Sequence, residues 1–102
     1  MNNKVFNKLE RDLEDKGKSA GTVREYYLSI RKLEDYFKGA DLTKLTDEDL
    51  KEYAEYLINE GYSKTAYNSR IAAVRYLYTK VLKKRIHLEK IPFQRVRELN
   101  KK

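Results

Sequence analysis

Four stretches of this chain carry apolar residues at the spacing of an α-helix, and the first three each stop at a glycine. From about Lys4 to Lys16, Val5, Leu9 and Leu13 fall at i, i+4 and i+8 with Phe6 beside them, and Gly17 follows. From about Thr22 to Lys38, the residues Val23, Tyr26, Ile30, Leu33 and Phe37 are spaced 3, 4, 3, 4, which is one buried stripe; Gly39 follows. Thr46 then stands as an N-cap, with Asp47, Glu48 and Asp49 where a helix dipole favours negative charge. Leu50, Tyr53, Ala54 and Leu57 supply that third apolar face, and Gly61 supplies its stop. Ser63 or Thr65 caps a fourth helix running to about Leu82, with Tyr67, Ile71, Val74, Tyr78 and Val81 as its stripe.

Short connections force neighbouring helices back on each other, so the expected fold is all-α, an orthogonal bundle of four main helices arranged as two helical hairpins, 1–38 and 46–82. The 102 residues make one small domain. Residues 1–85 are expected to form the folded unit. Pro92 disfavours helix for the residue before it, so 86–93 is expected to be irregular or extended. The stretch 86–102 reads as a basic tail, or as the start of a linker to a further domain.

The two hairpins resemble each other. Gly17-Lys18-Ser19 and Gly61-Tyr62-Ser63 open the second and fourth helices alike, and at the same 44-residue offset Ile30-Arg31 matches Val74-Arg75 and Leu33 matches Leu77.

The chemistry these residues permit is narrow. With no cysteine, the chain has neither disulfides nor thiolate metal sites nor cysteine nucleophiles. A single histidine, His87, rules out a histidine metal cluster and reads as a surface side chain. Four glycines, at 17, 21, 39 and 61, build no phosphate loop of the Walker type. Asp47, Glu48 and Asp49 are consecutive on a helix and point in different directions, so they cannot converge on one metal ion. The longest apolar run, Ile71-Ala72-Ala73-Val74, is far short of the roughly 18 residues of a membrane span, and Met1–Phe6 has no signal-like apolar core. A binding module without cofactor, metal or membrane is therefore expected rather than an enzyme.

Charge narrows the partner. Residues 1–60 hold 11 Lys+Arg and 14 Asp+Glu, net −3, whereas 61–102 hold 12 Lys+Arg and two acids, net +10. Such asymmetry suggests a basic surface that meets a polyanion. The starts of the second and fourth helices offer backbone N–H groups beside Ser19 and Thr22, then Ser63 and Thr65, which suits phosphate oxygens as well as plain capping. Behind them come Arg24 and Arg31, then Lys64, Asn68, Arg70 and Arg75. Lys64, Asn68 and Arg75 share one side of the fourth helix, from which Arg or Lys can read guanine and Asn can read adenine in a major groove; a solvated charged face is the alternative. Tyr26, Tyr67 and Tyr78 lie on stripes and read as core, whereas Tyr27 and Tyr76 lie off-stripe, free to stack on bases or to pack on a partner.

In their order these motifs resemble the core-binding domain of tyrosine recombinases, also known as the phage-integrase N-terminal SAM-like domain. Gly17 through Tyr26 is similar to its first signature. Leu45-Thr46-Asp47-Glu48-Asp49-Leu50 resembles the entry to its third helix, and Gly61-Tyr62-Ser63-Lys64-Thr65 through Arg70-Ile71-Ala72-Ala73-Val74-Arg75-Tyr76-Leu77-Tyr78 its second signature. Lys90-Ile91-Pro92-Phe93 stands where members carry Asn before the Pro, so the likeness thins there; it spans about residues 3–95.

The resemblance implies a SAM-like four-helix domain forming one half of a clamp around double-stranded DNA at a recombination half-site. Its second and fourth helices would face the major groove through Ser19, Thr22, Arg24, Arg31, Ser63, Lys64, Thr65, Asn68, Arg70 and Arg75, with one of the last two arginines free to brace helix packing instead. Other recombinase protomers are implied as partners in a full-length protein, with this domain alone monomeric, in a prokaryotic cytoplasm. The family's catalytic Arg, His and Tyr belong to a separate domain that nothing here matches, so no catalytic residue is assigned. A second function class stays open, a helical protein-interaction module holding an acidic partner on its basic C-terminal helix; a third, single-strand binding, would prefer unpaired oligonucleotide.

Overall fold

A computed structural model describes residues 2–94. Arg95, Arg97, Lys101 and Lys102, expected in the linker, lie outside the described residues.

Four helices follow in order: α1 (Asn3–Asp15), α2 (Ala20–Tyr36), α3 (Asp47–Asn59) and α4 (Lys64–Tyr76), with no strand among the described residues. Short 3-10 turns at Leu42–Lys44 and Leu88–Lys90 complete the path. The fold is all-α, as the four stripes predict. The α1/α2 and α3/α4 neighbours touch as hairpins, yet the most extensive helix–helix contact is α2 against α4, across the two units.

Both Gly-x-Ser corners are built alike. Gly17 and Gly61 adopt φ of +75° and +85°, a left-handed conformation that L side chains rarely accept. The next amide closes a six-residue ring back onto the helix, Lys18 N to Leu13 O at 3.1 Å and Tyr62 N to Leu57 O at 3.2 Å. Two residues after each glycine comes the N-cap. The Ser19 hydroxyl accepts from Thr22 N (3.2 Å), and the Ser63 hydroxyl from Ala66 N (3.1 Å). Thus Ser63, not Thr65, caps α4, and α2 starts two residues before the expected Thr22 because Ser19 is its cap. At α3, Thr46 and Asp49 form a capping box, each side chain accepting from the other's amide.

One core serves all four helices, with Leu9, Leu13, Ile30, Leu33, Leu42, Leu50, Tyr53, Leu57, Tyr67, Ile71, Leu77 and Tyr78 essentially removed from solvent. Beyond Tyr76 the helix widens into a π turn, Leu77–Val81, in which Leu82 N bonds to Leu77 O (2.8 Å) and the Thr79 hydroxyl donates to Arg75 O (2.7 Å). Leu77 and Tyr78, adjacent in sequence, are both fully buried there, where α1 packs on the turn.

The 40–45 connector is fastened from two sides. Tyr78 donates its hydroxyl to Leu42 O (2.6 Å). The buried Asn2 side chain accepts from Leu42 N (3.0 Å) and donates to Ala40 O (2.8 Å) and Glu34 Oε2 (2.9 Å). The Leu42 amide, which is buried, would otherwise sit unpaired, at about 1–3 kcal/mol.

Candidate functional site

The contact of α2 with α4 leaves an open groove of about 710 Å³ along their shared face, lined by Ser19, Gly21, Thr22, Glu25, Tyr26 and Ser29 of α2 and by Ser69 and Ala72 of α4. Small side chains on both walls keep the helices close and the groove shallow. At its floor Arg70 Nη1 donates to the buried Ser29 hydroxyl (3.3 Å), while its guanidinium lies 5.8 Å from the Tyr62 ring centroid and its Nε is buried with no partner among the described residues. Arg70 therefore braces α4 against α2. Burial also pushes the neighbouring Tyr53 phenol up to about 12.

Of the ten residues singled out by sequence, Ser19 and Thr22 line this groove, Arg70 lies beneath it, and Ser63, Lys64 and Thr65 stand exposed at the start of α4. Arg24 and Arg31, seven residues apart on α2, lie toward α1. Arg24 lines a recess with Glu10, Glu14 and Lys18, and Arg31 pairs with Glu34 (3.4 Å).

Asn68 and Arg75 meet a different neighbour. The chain after the π turn returns across α4, and its last described residues lie on that helix. Asn68 Nδ2 donates to Gln94 O and Asn68 Oδ1 accepts from Gln94 N, both at 2.7 Å, as a paired strand would. Tyr67 donates its hydroxyl to Pro92 O (2.8 Å). Arg75 Nη1 donates to Ile91 O (3.1 Å), and its guanidinium stacks 4.6 Å from the Phe93 ring centroid. Ile91 itself enters the core from beyond residue 85, where the folded unit was expected to end, and is 1% exposed.

The acidic start of α3 holds the near end of this strap. Asp47 accepts from His87, through both the backbone N (3.2 Å) and ring Nδ1, and Glu48 accepts from Lys90 Nζ. The His87 contact holds the Asp47 carboxyl below the usual carboxylate range, and Lys90 does the same to Glu48. These acids thus do more than favour the helix dipole. Among the described residues no group of three or more His, Cys, Asp or Glu can hold a metal ion.

Tyr27 and Tyr76, the off-stripe tyrosines, pack inward. Tyr27 lies 4.9 Å from Phe6, and Tyr76 meets Tyr26 edge-on at 5.3 Å while its hydroxyl donates to Asp12. That hydroxyl, with Lys16, holds the Asp12 carboxyl down. Both rings are half-buried, and Tyr27 also lines the recesses between α1 and α2. No sequence signal pointed to Asn2 or to the strap, because both act through contacts to distant parts of the chain.

A family model described as phage integrase, N-terminal SAM-like domain, matches residues 5–88. No curated protein and no solved structure matches the chain. No helix among the described residues is long and apolar enough to cross a membrane.

Proposed function

We propose that this chain, which belongs to the family of phage integrase N-terminal SAM-like domains, grips double-stranded DNA at a recombination half-site as one arm of a clamp. A role tied to recombination follows from the family; duplex binding, the half-site, and contacts with further recombinase protomers are the finer reading. Catalysis is assigned to none of its residues.

The observation that carries this reading is the direct packing of α2 on α4. It brings the Ser19-capped start of α2 onto a groove shared with the middle of α4, while the Ser63-capped start of α4 stands exposed outside that groove, within a chain whose second part is net +10. Backbone N–H groups and hydroxyls at such starts position phosphates, and a B-DNA major groove about 12 Å wide admits an α-helix. In this arrangement Ser19, Thr22, Ser63, Lys64 and Thr65 contact the backbone, and Asn68 with Arg75 supplies base-edge groups. Arg70 keeps the two helices in register, whereas Arg24 and Arg31, which lie toward α1, are left out of this contact.

Fluorescence anisotropy of a random 30-base-pair duplex at two salt concentrations tests it. Non-specific binding with Kd about 10⁻⁴ to 10⁻⁶ M that weakens steeply with salt is expected. Lys64→Ala should make the log–log salt slope shallower by about one, as one phosphate contact is lost. Binding to polyglutamate, with none to duplex even at low salt, would instead favour an acidic protein partner.

A further inference from the structure

We propose that Pro92–Gln94 competes with duplex DNA for the outer face of α4, holding the free protein in a weaker-binding state until the segment peels away. This rests on the DNA reading above.

Asn68 spends its side-chain amide on the Gln94 backbone, as donor and as acceptor at 2.7 Å, and so cannot offer the paired donor and acceptor that an adenine edge requires. Phe93 stacks on the Arg75 guanidinium, 4.6 Å from ring centroid to guanidinium carbon, and so occupies one of its faces. The segment therefore satisfies on α4 the same groups that nucleic acid would use. Its hold is local: the paired bonds to Asn68, the Tyr67 hydroxyl on Pro92 O and the Phe93 stack on Arg75. Phe93 is half exposed and Pro92 is exposed, whereas Ile91 is anchored in the core. Peeling can stop at Ile91, leaving the fold intact. Arg75 then keeps one N–H on Ile91 O and has further donors to offer, since a guanidinium carries five.

The test compares the full chain with the double variant Phe93→Ser, Gln94→Pro. This pair leaves charge and α4 unchanged while removing the ring over Arg75 and the amide that donates to Asn68. Both proteins are titrated with the 30-base-pair duplex, and the Gln94 amide of the unmodified chain is followed by 15N NMR. The variant should bind about three- to ten-fold more tightly at low salt, as the Asn68 amide and the Arg75 guanidinium are freed for the duplex. In the unmodified chain, duplex should move the Gln94 amide to its free-chain position. Binding by the variant alone would support the competition most strongly. Equal affinities with an unmoved Gln94 amide would overturn the competition and leave duplex binding standing. Absence of duplex binding by both proteins would overturn the two together.

Discussion

The corners at Gly17-Lys18-Ser19 and Gly61-Tyr62-Ser63 share one local grammar: a left-handed glycine, a spacer, and a serine cap two residues on. Yet the helices they open end up in different surroundings. Arg31 on α2 stays exposed beside Glu34, whereas Arg75, its counterpart on α4, is half-buried between Ile91 O and Phe93. The spacer differs as well, for Tyr62 lies over Arg70 while Lys18 lines the recess toward α1. Residues within the corner set how a helix begins. What its outer face meets is decided by chain arriving from elsewhere.

The largest expected effect lies where the two units are most alike. Ile30 and Val74 are equivalent and fully buried, so Ile30→Ala should cost about 3 kcal/mol and Val74→Ala somewhat less, in proportion to the methyl groups removed, by urea unfolding. Next come the corners. Gly17→Ala and Gly61→Ala each force a Cβ into a left-handed backbone, at about 1–2 kcal/mol; nothing lies within 4 Å of either added Cβ, so the two losses should match. Unequal losses would break the equivalence of the corners.

The arginines should then part company. Arg75→Ala is expected to cost about 1 kcal/mol through its bond to Ile91 O, while Arg31→Ala should stay below about 0.5 kcal/mol, as exposed ion pairs do. The smallest effect is set by pH. Asp47 and Glu48 have folded-state values below their ordinary ones, so their hold on His87 and Lys90 is present above about pH 4.5 and fades as pH falls through the lowered values. The amides of 87–90 should shift in that acid range by NMR while those of the Gly61 corner stay still.

The helices were legible because periodicity and caps are local. The 3, 4, 3, 4 spacing on α2 and Thr46 ahead of three acids marked real elements, with α2 starting two residues early because Ser19 took the cap, while Ser63 was one of the two caps expected for α4. The cross-unit α2–α4 contact was not legible, since two short connections suggest only hairpins. Nor was the fate of Asn68, Arg75 or Tyr76. Their partners are 26, 16 and 64 residues away, and no pattern within a helix encodes a partner at that distance. Asn2 was silent for the same reason, its three bonds reaching 32 to 40 residues along the chain.

A π turn is an α-helix that has accepted one residue too many, and Leu77–Val81 shows where this helix absorbed the surplus. Shortening the turn by one position, for instance by deleting Thr79, would let an ordinary ladder close and swing all that follows by about 100° about the helix axis. Tyr78 and Val81 could not then both stay inside, and Ile91 would be carried away from its socket. The length of this segment is therefore as constrained as its buried side chains, so a scan of single-residue deletions and insertions along α4 and 77–81 should find its sharpest loss of folding in 77–81.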